Sequence, residues 1–531
     1  MKPSLLLAMA LMGSVALPAT AFASDPAARC EALKDLSIPN VRIDIAHLKA
    51  AGELPPDPNS AMTGGSPRAL QVGTHCLVEG IIEAREGIGG QYGTRFQFRA
   101  PVDWNGRFLF QGGGGMDGFI APAVGFVPVV QSTAEPALTR GYAVVSMNGG
   151  HDGMGPNDST FAQDQQARFD EAYQSIGKVT SVAKNLVTRF YGKTPDHSFF
   201  MGCSNGGRQA MLAAQRFPLE FDGVVAGNPA FHISRAPLGE IWDLKQLMPL
   251  APRENGAPIL SKALTQADMD TVSSAILDAC DDLDGIKDGI INAYGSCKFD
   301  YESLKGKIDD KKVDALKAMM SGAKADNGNA VYTGFPADAG LNSMGWRMWK
   351  LGTSDTAVPN ALAVSIGLNS YSRLFMTPPV ETADIDYMTM DFGKAASDMS
   401  IMGGLFDATY SVMNTYARRG GKMIIFQGLS DPIFSATDIM EWYNKANKDT
   451  VADFSRLFMV PGMTHCGGGS ALNDFDPLTI LENWTINGVA PRSMPASGKG
   501  FPGKSQPICA FPQEAHYTGG DPDKLESYSC R

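Results

Sequence analysis

The 531 residues are 44% hydrophobic and 19% charged, an ordinary globular composition that excludes a disordered or fibrous chain. With 45 basic against 56 acidic residues, a net charge of −11 and no Lys/Arg cluster, the chain lacks the phosphate-tracking surface that nucleic-acid binding requires. The length exceeds what one small core can organise and predicts a large domain with a second domain or a big insertion.

The chain opens with a positive Lys2, an apolar run from Leu5 to Leu17, and a small-x-small site at Ala21-Phe22-Ala23. This pattern predicts a secretory signal peptide over 1–23, a mature chain from Ser24, and a secreted or periplasmic protein. An uncleaved anchor is the competing reading; the short apolar run and the cleavage site disfavour it. No later segment offers the ~20 uninterrupted apolar residues of a spanning helix, so no membrane span is expected.

Residues 24–90 are mixed in pattern, with turns at Leu54-Pro55-Pro56-Asp57-Pro58. Strand-like runs follow. Arg95-Phe96-Gln97-Phe98-Arg99 alternates with period two, and Arg107-Phe108-Leu109-Phe110 runs into Gly112-Gly113-Gly114-Gly115. Tyr142 to Met147, His197 to Met201 and Phe221 to Gly227 are short apolar runs suited to buried parallel strands. Helical patterns lie between them, the longest over Ala167 to Tyr191 and another over Gly207 to Arg216. This alternation predicts an α/β fold with a largely parallel sheet, whose sites sit at the C-terminal ends of strands. From 230 to 409 the strand pattern lapses into loops and helices, then returns at Lys422 to Phe426 and Arg456 to Val460. The middle segment reads as a lid inserted above a catalytic domain made of 24–229 and 410–531, the place where substrate selectivity would reside.

Gly202-Cys203-Ser204-Asn205-Gly206 fits G-x-S-x-G between a strand and a helix, the setting of a strained turn that projects a serine hydroxyl over a sheet edge. In an α/β-hydrolase the acid and then the histidine follow the serine along the chain. Ile424 to Asp431 is a strand ending in an acid, and Phe458 to His465 is the next, ending in a histidine. Taken singly, Asp431 could be an Asx-turn residue before Pro432 and His465 a surface loop residue; their order at successive strand ends favours a triad. Serine needs a base to become nucleophilic, histidine titrates near neutrality, and the acid would fix its tautomer. The backbone N–H groups of Asn205 and Gly115, with Gly114 next in preference, are the expected oxyanion donors.

Eight cysteines in an exported chain suggest disulfides. Cys280 with Cys297, Cys509 with Cys530, and Cys30 with Cys76 are each near in sequence. That leaves Cys203 and Cys466, which a Ser204–His465 contact would bring together. Cys280-Asp281-Asp282-Leu283-Asp284-Gly285-Ile286-Lys287-Asp288-Gly289-Ile290 is a dense carboxylate loop. Asp281, Asp284 and Asp288 with the carbonyls of Ile286 and Ile290 would form an oxygen cage suited to Ca²⁺. The spacing is not that of an EF-hand, and a solvated acidic turn is the other reading.

Together these segments resemble the tannase/feruloyl esterase family over nearly the whole mature chain. The resemblance is carried by Cys203-Ser204, Asp431 and His465-Cys466, with Trp104-Asn105-Gly106-Arg107-Phe108, Gly149-Gly150-His151-Asp152 and Pro461 to Cys466. It implies an α/β-hydrolase fold, a Cys203–Cys466 bridge beside the triad, structural calcium on the acidic loop, and a small aromatic ester as substrate, free or carbohydrate-linked. It also implies that Trp349 and Phe434 enclose an aromatic acyl group, against the plainer reading that they only pack the lid. Family members acting on terephthalate monoesters hold the free carboxylate with a lid arginine. The similar segment here, Asn360 to Ser365, has none, and Arg373 lies further along. Asn205 also stands where such members have an acid, and Gly114 where they have a serine. The expectation is therefore a feruloyl-type esterase, with tannase-like or terephthalate-monoester activity as alternatives. A peptidase, a metallohydrolase and a silent carbohydrate-binding relative are weaker readings. The metallohydrolase lacks an H-E-x-x-H, and the silent relative should lack a triad member.

Overall fold

The computed structural model describes residues 25–153 and 158–531; the expected signal peptide lies outside the described residues. Nine strands form the central sheet: β1 (Val41–Lys49), β2 (His75–Gly87), β3 (Gly90–Pro101), β4 (Arg107–Gln111), β5 (Ala143–Met147), β6 (His197–Cys203), β7 (Gly223–Gly227), β8 (Lys422–Gly428) and β9 (Ser455–Val460). Their spatial order is β1-β2-β3-β5-β4-β6-β7-β8-β9. The first three pairings are antiparallel and all from β5 to β9 are parallel. This is the α/β-hydrolase architecture.

The parallel strands are apolar throughout because both faces are covered. On one face Phe96, Phe108, Phe110, Phe200 and Ile425 join α1 (Ser175–Tyr191) and α2 (Asn205–Arg216) in one core. On the other, Leu109, Phe199, Phe426 and Val460 pack on Leu478, Leu481 and Trp484 of the helix Pro477–Asn487. The helix expected to run from Ala167 begins at Gln165 and contains a π-turn at Asp170–Gln174. The antiparallel edge was not expected from the mixed pattern of 24–90. Strand β1 is an edge strand, exposed along much of its length, so its residues do not alternate cleanly. Cys30–Cys76 ties the N-terminal segment to β2.

Between β7 and β8 no described segment joins the central sheet; only the ribbon Arg253–Glu254 with Ala257–Pro258 is extended. This stretch has its own core, built from α3 (Ala236–Leu247), α4 (Gln266–Cys280), α5 (Asp310–Met320) and Trp346 of α6 (Met344–Lys350). Phe161, Ala162, Ala167 and Ala172 from before α1 also belong to this core and support it from below.

Candidate active site

Strand β6 ends at Cys203, and Ser204 turns the chain into α2 with φ 60° and ψ −123°. A residue with a β-carbon is held there only by its surroundings. Ser204 N donates to Gly227 O at 3.0 Å, and Ala230 N donates to Ser204 O at 3.0 Å, so β7 clamps the turn on both sides. The flanking glycines are required by close approach. A β-carbon on Gly202 would stand 2.6 Å from Gly206 C, and one on Gly206 would stand 2.6 Å from Gly113 O.

Asp431 follows β8, and its carboxylate is fully buried. Its Oδ1 accepts from Ile433 N at 2.9 Å and Phe434 N at 3.1 Å; its Oδ2 accepts from Asn228 Nδ2 at 2.7 Å and Gln427 Nε2 at 3.1 Å. His465, in the loop after β9, lies with Nδ1 2.8 Å from Asp431 Oδ2. Burial works against ionisation of Asp431, but the His465 charge and the hydrogen bonds from His465, Asn228 and Ile433 outweigh it and hold the carboxyl below its ordinary value. Cys203 and Cys466 form a disulfide with Cα atoms 6.0 Å apart, so the residue before Ser204 and the residue after His465 are covalently joined. Cys280–Cys297 and Cys509–Cys530 complete the bridges, and every cysteine is paired.

Ser204, His465, Asn205 and Gly115 face one pocket of about 240 Å³. Asn205 is the first residue of α2, so its N–H has no intrahelical acceptor. Gly115 takes φ +59°, which suits a glycine. The loop carrying it is fixed by buried side chains that sequence reasoning did not single out. Gly113 N donates to Gln209 Oε1 at 3.0 Å. Asp117 accepts from Asn205 Nδ2 and Gln209 Nε2, both at 2.9 Å. Asn205 Nδ2 also donates to Glu171 Oε1 at 3.0 Å, and its Oδ1 accepts from Arg208 Nε at 2.7 Å. Burial pushes the Asp117 carboxyl up to about 6 despite the amide donors and the Arg208 charge. The π-turn before α1 carries Glu171 into this network.

The pocket wall is mostly apolar: Ile233, Leu362, Ile366 and Ile433 line it with Trp349 and Phe434. Trp349 and Phe434 rings both pack on the His465 imidazole, with centroids 5.6 Å and 5.4 Å away. They thus flank His465 and line the same pocket. Among the described residues, no Lys or Arg lines the pocket. Arg373 instead pairs with Glu381 at 3.2 Å on the surface.

The acidic loop lies at a distance, against the C-terminal tail. Asp288 Oδ2 accepts from Lys504 Nζ at 2.9 Å and Gln506 Nε2 at 2.8 Å. Asp281 accepts from Gly289 N at 3.0 Å, and Asp284 from Asn292 N at 3.1 Å. Among the described residues no three acidic, His or Cys side chains converge as a metal-binding set. The donor chemistry nonetheless suits a hard cation: every candidate ligand is an oxygen, and Asp281 and Asp284, both buried, have no cationic partner among the described ion pairs.

A strained serine turn after β6, a buried acid after β8 and a histidine after β9 over this sheet define the class as α/β-hydrolase. The description "tannase and feruloyl esterase" matches residues 82–531, and the chain belongs to that family and is a carboxylic ester hydrolase. It is 34% identical to mono(2-hydroxyethyl) terephthalate hydrolase of Piscinibacter sakaiensis, over 95% of this chain and 91% of that protein. Feruloyl esterase C of Talaromyces stipitatus is 26% identical over 92% of each. Among solved structures, feruloyl esterase B of Aspergillus oryzae superposes with a TM-score of 0.78 at 22% identity, covering 96% of this chain and 100% of that one.

Proposed function

We propose that the protein is an exported serine esterase that cleaves aromatic esters of the feruloyl type through an acyl-enzyme. The observation that carries this reading is the 2.8 Å Asp431–His465 hydrogen bond in the pocket that Ser204 faces. His465 takes the Ser204 proton as Oγ attacks the ester carbonyl. The resulting oxyanion is met by the N–H groups of Asn205 and Gly115, each such donor being worth about 3 kcal/mol. His465 returns the proton to the leaving alkoxide, then activates water to release the acid. Asp431 keeps the imidazole in the tautomer with Nδ1 protonated.

The apolar wall with Trp349 and Phe434 favours a flat aromatic acyl group, and the lack of a cation in the lining disfavours a terephthalate monoester. The terephthalate reading is supported by the 34% identity to a hydrolase of that name. Calcium, held by Asp281, Asp284 and Asp288 with the carbonyls of Ile286 and Ile290, would have a structural role. The paired cysteines support export, to the periplasm or beyond.

The test is turnover of methyl ferulate, methyl gallate and mono(2-hydroxyethyl) terephthalate by the purified chain beside Ser204→Ala. Ferulate preference, lost in the variant, is expected. Preference for gallate or terephthalate would retain the chemistry and overturn the acyl assignment. Turnover of none would favour a silent binding relative.

A further inference from the structure

Among the described residues that line the pocket, the one ionisable side chain besides His465 is Glu240 of α3. It is 4% exposed, and its Oε1 is buried with no hydrogen-bond partner among the described residues. Its Oε2 lies against Gly367, where a β-carbon would stand only 2.3 Å away. A glutamate without a partner in an apolar wall costs stability, and such a group in a native pocket calls for an explanation. Its neighbours do not supply one. The nearby cation, Lys350, donates its hydrogen bond to Asp243, and Asp243 and Asp431 add negative charge. Burial dominates and pushes the Glu240 carboxyl up to about 8, so that it is uncharged at neutral pH.

We propose that Glu240 is a specificity-determining residue, whose carboxyl hydrogen-bonds a hydroxyl on the distal end of the aromatic acyl group. The proposal rests on the esterase reading of the pocket and names the acyl class within it. An uncharged carboxyl presents an O–H donor and a C=O acceptor, as a phenolic hydroxyl does. An acyl group ending in a carboxylate would bring an uncompensated buried charge into a described lining without a cation, which is costly. An acyl group ending in hydrogen would leave Glu240 unsatisfied, and sites built around a substrate hydroxyl reject analogues that lack it.

The experiment compares kcat/KM for methyl 4-hydroxycinnamate and methyl cinnamate in wild type, Glu240→Gln, Glu240→Leu and Gly367→Ala. The ratio within each variant is the readout, so a general loss of activity cancels. Wild type should favour the hydroxylated ester by about ten- to a hundredfold. Gln, which keeps a donor and an acceptor, should retain most of that ratio. Leu should bring it near unity, and Gly367→Ala, which crowds Oε2, should lower it. A wild-type ratio near unity, or an unchanged ratio in Glu240→Leu with turnover still dependent on Ser204, would overturn this assignment alone. Wild type that hydrolyses neither ester would overturn the feruloyl-type reading beneath it.

Discussion

Asp431 sits where the chain can accept hydrogen bonds from two backbone N–H groups, two side-chain amides and the imidazole at once. That saturation keeps it ionised in a buried site. Replacing it with Asn leaves the shape and reverses the imidazole tautomer, so Asp431→Asn should lower kcat by about 10⁴-fold with little change in KM, read by initial rates on the best ester. Glu240 is the opposite case. Its carboxyl rises from an ordinary value near 4.5 to about 8 on folding. The folded state therefore binds a proton that the unfolded state has released, and stability falls as pH climbs between those values, by up to about 1.4 kcal/mol per unit. Thermal melts should show that slope in wild type and a flatter one in Glu240→Gln; equal slopes would contradict the burial argument. The placement of Ser204, Asp431 and His465 was legible in the sequence because each follows a strand of the central sheet. Glu240, Asn228 and Asp117 were not. Nothing near Glu240 in the chain marks it, since its isolation is created by Gly367 and Ile366 arriving from further along the same segment. Asn228 and Asp117 did have a local mark, each standing just after a strand or glycine run that was itself recognised.

The strands and helices around the nucleophile were readable for a simple reason: fully buried parallel strands are apolar without interruption, and glycines punctuate their ends. Edge strand β1 and the π-turns, among them Asp170–Gln174 and Ala363–Gly367, carry no such pattern. A π-turn depends on what the helix packs against, and both of these deliver residues to the site, Glu171 to the Asn205 side chain and Ile366 to the pocket wall. The Cys203–Cys466 bridge spans 263 residues and joins the nucleophile turn to the histidine loop. Both Ser204 and Cys466 hold positive φ, at 60° and 58°, so each side of the bridge is a backbone conformation that its surroundings must maintain. Cys203→Ala with Cys466→Ala should cost about 2–5 kcal/mol in chemical denaturation. The pair should also lose kcat in the folded fraction. Full activity in the unbridged protein would show that packing alone positions the histidine.

Across the whole molecule, the segment 230–409 meets the rest of the chain at several places, among them the pocket, buried Asp338 bonded to Ser430 and Gly462, and the acidic loop on the C-terminal tail. Asn292 donates to Gln506 Oε1 at 2.9 Å, and Asp288 bonds Lys504, Gln506 and Tyr528. Cys280–Cys297 and Cys509–Cys530 close the two segments that meet there. Calcium at this junction should stabilise the joint without entering the chemistry. Adding Ca²⁺ to chelator-treated protein should raise Tm, Asp284→Asn should abolish the rise, and kcat of the folded protein should be unchanged. The absence of central-sheet strands from the described part of 230–409 was legible in the lapse of strand pattern, but the loop's seat on the tail was not, because those partners lie over 200 residues apart in the chain.

The most direct test is to trap the acyl-enzyme. The protein is treated with an aryl phosphonate that mimics the tetrahedral intermediate, the adduct is mapped by peptide mass spectrometry, and residual ester hydrolysis is measured in parallel. One adduct per chain, on Ser204, with activity lost in proportion, is the predicted result. Hydrolysis that continues with Ser204 fully modified, or an adduct on another residue that accounts for the loss, would contradict the assignment of Ser204 as the nucleophile.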